Sequence, residues 1–331
     1  MQRKARSNAQ INPDKRIRSG TSNTVMKRGI FLVANLKSQS LCANLIHSIR
    51  NTGCSLPIRL IHFGGDRIDS EYILNECEIL DVADFPAEAL DLIESLQSVL
   101  TVCPKGFLYR FLAWFSDWDE FIYSDNDVVA LCNWENLFEY LPGYHIVHAD
   151  EEYTTGGKFN YHKPEKVKES FGDTALDSAL TAGHFLAKRD YKMLTDLKSA
   201  IEWFHLNPDV PIKHDQALIH IASLIGKWKM LNLCRGPHNW LSTWAGDYKN
   251  SMDLIHSIQF SNSFKAISHL HYSGNTPQGN LPIEEFLFAN LSNEKRLSKI
   301  IAVAIQKLSG AMFLNSKKKR AFSKLRGVFN R

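Results

Sequence analysis

Apolar residues fall in short blocks along this chain, and the spacing inside the blocks alternates between two patterns. Residues 29–35 (Gly-Ile-Phe-Leu-Val-Ala-Asn) are almost continuously apolar over the length of a strand. Residues 57–63 (Pro-Ile-Arg-Leu-Ile-His-Phe) repeat the pattern and run into Gly64-Gly65. Between and after them, apolar residues recur at helical spacing over 41–50, where Gly53 supplies a stop, and over 74–80, 89–100 and 105–115, the last amphipathic. Another strand-like run begins at Phe121. Near-continuous apolar strands belong to sheets covered on both faces. Their alternation with helices predicts a mostly parallel sheet flanked by helices, an α/β fold. Beyond residue 131 the rhythm loosens. Residues 144–149 read as a strand, 151–174 as a polar mobile loop, 179–186 as β-like, 190–204 and 214–225 as helices, and 228–233 and 267–272 as strands. Helical spacing resumes at Ile283 and continues to residue 308.

One block carries charge where the others do not. Residues 121–131 (Phe-Ile-Tyr-Ser-Asp-Asn-Asp-Val-Val-Ala-Leu) hold Asp125 and Asp127 between two apolar runs. Strand side chains repeat with period two, so both carboxylates would project from one side and reach one cation. Unpaired charges among buried neighbours are costly. A divalent cation holding a phosphorylated ligand is the natural partner. A triplet of this kind is expected about once by chance in a chain this long. The chain has a second, Asp117-Trp118-Asp119, which lies in a polar stretch and reads as a solvated turn. Only the Asp125 triplet has β-rich flanks on both sides.

At 331 residues the chain can bury a substantial core, and its 44% hydrophobic and 22% charged content is ordinary for a globular protein. The net charge of +4 is small but uneven, with Lys and Arg concentrated at the two ends. Residues 1–28 are basic and lack apolar periodicity, the signature of a disordered tail. No apolar run follows them to make a secretory signal, and none reaches the roughly 18 to 20 residues that span a bilayer. Six cysteines (Cys42, Cys54, Cys77, Cys103, Cys132 and Cys234) show no Cys-x-x-Cys spacing, which argues for free buried thiols in a reducing compartment and against zinc. The expectation is a cytoplasmic protein with one compact domain and two tails.

Five segments, in order, resemble the GT-A-type glycosyltransferases, most closely glycosyltransferase family 8, the galactosyl- and glucosyltransferase, glycogenin-like group. They are Phe107-Leu108-Tyr109-Arg110-Phe111-Leu112, Tyr123-Ser124-Asp125-Asn126-Asp127, Thr181-Ala182-Gly183-His184-Phe185-Leu186, Asp215-Gln216-Ala217-Leu218 and His271-Tyr272-Ser273-Gly274. The resemblance implies a GT-A, Rossmann-like fold with a mixed, mostly parallel sheet over 29–275. Residues 29–131 would form a nucleotide-binding half and 132–275 an acceptor half, followed by a helical basic extension over 276–331. It implies metal ligation by Asp125, Asp127 and His271, a mixed donor set that suits Mn²⁺ better than Mg²⁺. It implies nucleotide-sugar contacts from Asn35, Arg110, Asp125, Asn126, Gly183 and Gly274, with UDP as the nucleotide. Asp215 and Gln216 would lie beneath the donor sugar and Asp150 on its acceptor side. The implied reaction is hexose transfer, with retention, to a hydroxyl of a glycan or glycolipid. An amide at Gln216 favours front-face attack over a covalent intermediate.

Two positions depart from the family pattern: Pro277 stands where a phosphate-binding lysine is usual, and Thr181 where asparagine is usual. The first motivates a rival reading, a non-catalytic GT-A-like protein that binds nucleotide or glycan. Residues 299–331 mix apolar positions with Lys299, Lys307, Lys317–Arg320, Lys324, Arg326 and Arg331. That suits peripheral contact with the cytoplasmic membrane face. The basic ends lack interleaved stacking aromatics, which argues against nucleic acid as a partner.

Overall fold

The computed structural model describes residues 26–149, 160–248, 250–259 and 266–273. Its centre is β1 (Arg28–Ala34). The period of two sorts this strand into two core layers: Phe31 and Val33 enter one, and Ile30, Leu32 and Ala34 the other. Both layers exclude water, so the strand reads as one apolar run. Parallel partners lie on each side, β2 (Ile58–His62) and β4 (Glu120–Ser124). Outside β2 runs β3 (Cys77–Asp81), also parallel. Beyond β4 the sheet continues through β7 (His184–Lys188), β6 (Ile146–His148) and β8 (Met230–Asn232), giving the order β3-β2-β1-β4-β7-β6-β8. Strand β7 is antiparallel to both neighbours, and β6 and β8 are parallel to each other. A separate two-stranded sheet pairs β5 (Val128–Ala130) with β9 (His269–His271).

Helices cover both faces. Helices α3 (Ala87–Val99), α6 (Tyr191–Leu206) and α7 (Asp215–Gly226) share a core with Phe31, Phe121 and Phe185. Helix α1 (Gln39–Asn51) packs on the opposite face with Ile30, Leu32 and Leu60. It ends where expected, with Gly53 at a φ of 80° just past the last turn. All six cysteines are free, and burial pushes the Cys77 thiol up to about 12. Among the described residues no helix is long and apolar enough to cross a membrane.

Several expectations change. Residues 74–80 are not one helix: α2 (Glu71–Glu76) stops and the chain becomes β3. The open edge of β2 offers those residues ladder hydrogen bonds, and that pairing overrides helical spacing. Over 105–115 the helix lasts one turn, α4 (Lys105–Leu108), before tightening into 3₁₀ turns over Tyr109–Phe115. Five consecutive side chains from Arg110 to Trp114 are buried, so the segment is not amphipathic. The span 151–174 is partly helical, with α5 (Pro164–Phe171) opened by a proline at its first turn. In Asp117-Trp118-Asp119 only the acids meet solvent. Trp118 is buried against Gly29, and the Arg59 guanidinium lies 4.4 Å from its ring centre. Strand β1 opens at Arg28, which pairs with Glu120 at 2.8 Å. Residues 276–331 lie outside the described residues.

The strand order fixes where a ligand fits. From β1 the chain steps to β2 on one side and later to β4 on the other. The crevice past the carboxyl ends of these strands is the usual binding position in open α/β sheets. Asn35 follows β1 there, and Asp125 follows β4.

Candidate active site

Asp125-Asn126-Asp127 forms the turn through which the chain leaves β4 for β5, passing from the large sheet to the small one. Three contacts fix the turn. The Asp125 N–H donates to the Gly183 carbonyl at 2.7 Å, the Asn126 amide donates to the Val33 carbonyl at 2.7 Å, and the Tyr272 N–H donates to the Asp127 carbonyl at 2.9 Å. Strand β5 then pairs with β9, with Val128 opposite His271. This pairing brings His271 beside the acids. The ligand atoms of Asp125, Asp127 and His271 lie within 4.8 Å of one another, and Nε2 of His271 is 3.4 Å from Oδ1 of Asp127. The carboxylates therefore converge through a pinned turn and not through an extended strand.

Burial raises the Asp125 carboxyl above its ordinary range; Arg110 opposes the rise and Asp127 adds to it. Burial also pushes Asp127 upward, but His271 outweighs it and the net direction is down. Two close acids and an imidazole form a mixed oxygen and nitrogen donor set, and a divalent cation relieves the repulsion between the acids. These residues fit such an ion.

Behind the acids lies Arg110, 2% exposed. Its Nη2 is 3.1 Å from Oδ1 of Asp125 and its Nε is 3.1 Å from Oδ2 of Asp215. The same guanidinium donates to the carbonyls of Phe107 (2.8 Å) and Ala182. The Tyr123 hydroxyl donates to Oδ1 of Asp125 at 2.6 Å. Asp215 occupies the first turn of α7, where a carboxylate complements the helix dipole, and His214 caps that turn by accepting from the Ala217 N–H.

Two cavities flank the three candidate ligands. The larger, about 500 Å³, is lined by Val33, Asn35, Ser38, Phe63, Gly106, Tyr123, Asn126 and Asp127 among others. The smaller, about 220 Å³, is lined by Cys103, Arg110, Ala182, Gly183, His214, Asp215 and Gln216 among others. Pro104, Phe107, Asp125, His271 and Ser273 border both. One is roomy enough for a nucleotide and the other for a single sugar ring, and they meet at Asp125 and His271.

Of the residues singled out in the sequence, Asn35, Arg110, Asp125, Asn126, Asp127, Gly183, Asp215, Gln216 and His271 all border these cavities. Asp150, Gly274 and Pro277 lie outside the described residues. Trp244 is 36% exposed and its indole donates to the Ser273 carbonyl at 3.3 Å, while Trp240 packs edge-on against Tyr140. Tyr123 was not picked out in the sequence as a site residue. Its signal was there, because it is the last aromatic residue before the Asp125 turn, two positions ahead of that acid. Phe63 carried no such signal.

The family model described as "Mannosyltransferase putative" matches residues 27–175. No curated protein matches the chain. Among solved structures, the apo form of the bifunctional glycosyltransferase WbbM superposes with a TM-score of 0.50 at 12% identity, covering 81% of this chain and 50% of its own. Apo mouse xyloside xylosyltransferase 1 also reaches 0.50, at 14% identity, covering 76% of this chain and 99% of its own. The glycosyltransferase GlyE of Streptococcus pneumoniae TIGR4 reaches 0.49 at 14% identity, covering 84% and 65%. The chain thus spans half the length of WbbM. At these identities the likeness to WbbM and to the xylosyltransferase, both at 0.50, establishes a shared fold alone.

Proposed function

We propose that this chain, which has the GT-A fold, is a glycosyltransferase that moves a hexose from a nucleoside diphosphate sugar to a hydroxyl of a glycan or glycolipid. One observation carries the reading: a nucleotide-sized and a sugar-sized cavity meet at Asp125 and His271, whose ligand atoms cluster with those of Asp127. Asp125, Asp127 and His271 would hold a divalent cation, Mn²⁺ before Mg²⁺. An ion held there would supply Lewis-acid stabilisation for the charge that develops on the departing diphosphate. Asn35 and Asn126 face the nucleotide cavity. In the sugar cavity Asp215 accepts hydrogen bonds from sugar hydroxyls, and Arg110, 3.1 Å away, fixes that carboxylate in place. The bond from the anomeric carbon to phosphate oxygen breaks, and a bond to the acceptor oxygen forms. The acceptor proton passes to the leaving phosphate. The Gln216 amide is a poor nucleophile, which supports front-face attack with retention.

UDP as the nucleotide follows from the family resemblance. The family description matched over 27–175 makes mannose the first hexose to test. Peripheral membrane contact is proposed from the basic, apolar-rich residues 299–331 alone, and binding to anionic vesicles that survives deletion of 311–331 would count against it.

The test is release of nucleoside diphosphate from a panel of UDP- and GDP-hexoses, with Mn²⁺ or with chelator. Wild-type protein is expected to release one nucleotide in a metal-dependent way, and Asp127→Asn to lose that release. Folded protein that neither binds nor cleaves any donor with Mn²⁺ present refutes the proposal.

A further inference from the structure

We infer that Gly183 is the positioning residue of the metal site, a bare stretch of backbone on which the His271 imidazole is seated. The inference rests on the reading that Asp125, Asp127 and His271 hold a dication. A Cβ built on Gly183 would lie 2.1 Å from Cε1 of His271 and 2.8 Å from each ring nitrogen. Real Cβ atoms essentially never come within 3.0 Å of another group. The three atoms nearest to that Cβ all belong to this one ring.

Backbone angle is not the reason for the glycine. Gly53, Gly64, Gly143, Gly172 and Gly236 adopt positive φ, and Gly183 does not. A Cβ on any of those five would meet nothing closer than 4.0 Å. At Gly183 the demand is for space.

The ring has little freedom elsewhere. Its Nε2 faces Asp127, its backbone N–H donates to the Thr243 carbonyl at 2.7 Å, and its side chain is 9% exposed. Imidazole and Asp127 carboxylate are thus set against each other with Gly183 as the backstop. The Gly183 carbonyl also accepts the Asp125 N–H at 2.7 Å. One residue therefore touches two candidate ligands that arrive from different sheets, Asp125 at the end of β4 and His271 in β9. A methyl group at 183 would drive the ring off its seat and change its relation to both acids.

The test is a double-mutant cycle on the full chain, comparing wild type, Gly183→Ala, His271→Ala and the double variant. Mn²⁺ affinity is read by electron paramagnetic resonance of the free ion, and the melting temperature is read without metal. Gly183→Ala alone is expected to weaken Mn²⁺ binding about tenfold or more, the usual range for a disturbed outer shell, and to lower the melting temperature. His271→Ala vacates the space, so adding Gly183→Ala to it should change neither quantity further. Wild-type Mn²⁺ affinity in Gly183→Ala, or equal losses in both backgrounds, overturns the inference. If Gly183→Ala does not fold, a folded double variant supports the seating and an unfolded one overturns it. Wild-type protein that binds no Mn²⁺ removes the metal reading and the positioning role together. Additive losses with intact wild-type binding remove the positioning role alone.

Discussion

Replacing Arg110 with methionine tests the electrostatic link between the two cavities. Methionine keeps an unbranched stem that fills the buried channel and removes only the charge. The guanidinium is 2% exposed and sits 3.1 Å from both Asp125 and Asp215. Removing one partner of a buried ion pair costs about 3–5 kcal/mol, because the other charge stays buried and unpaired. Here the two acids differ. The Asp215 side chain is 9% exposed and cannot recover much water, whereas Asp125 is 28% exposed and can. Most of the loss therefore falls on Asp215, with a smaller share from the orphaned carbonyls of Phe107 and Ala182. The expected destabilisation is about 3–5 kcal/mol near pH 7, measured by urea unfolding without metal. The deficit should also depend on pH. Burial already raises Asp125, and Arg110 is the main group opposing that rise. Without it the folded-state pKa climbs further above the unfolded value. A carboxyl raised in this way penalises the folded state only while ionised, so the penalty fades as protons bind. The deficit of Arg110→Met should narrow between about pH 7 and about pH 4. A loss below about 1 kcal/mol, or one flat across that window, refutes the assignment of Arg110 as the counter-charge of both acids.

Other outcomes follow from buried groups away from the site. His220 is held neutral by burial, which lowers it to about 4 even though its bond to the Ala175 carbonyl works the other way. Below its ordinary value of 6.5 the unfolded chain binds a proton that the folded chain refuses. His220 should therefore lower stability by about 1.4 kcal/mol per pH unit between those values, and His220→Gln should remove that part of the slope in urea midpoints taken against pH, leaving the part due to buried His184 and His269. Leu32 is fully buried in the central strand, and Leu32→Ala should cost about 2–5 kcal/mol with an unchanged urea m-value. A loss under about 1 kcal/mol would mean that the layer under α1 collapses around the cavity.

What the chain determined by itself was local. Strand β1 was readable because both of its faces are buried, so each of its residues had to be apolar or small. Helix α1 was readable because its apolar face and the glycine after its last turn are neighbours in sequence. The Asp125–Asp127 pair was readable for the same reason: a short turn cannot keep two such acids far apart. The start of α7 was readable because an acid, Asp215, stands in its first turn just ahead of the apolar spacing.

Tertiary structure decided the rest. Nothing near Cys77 reveals that β2 has an open edge waiting for it. Trp118 looks solvent-bound among its acids until Gly29 and Arg59 close over it. Nothing in the residues around Arg110 shows that Asp125 and Asp215 approach it from separate elements and bury it. His271 becomes a candidate ligand only because β5 pairs with β9, and it fits only because Gly183 has no side chain. Period and capping are written over a few neighbouring residues. Strand pairing and ring seating are settled only when distant segments close on each other and exclude water together.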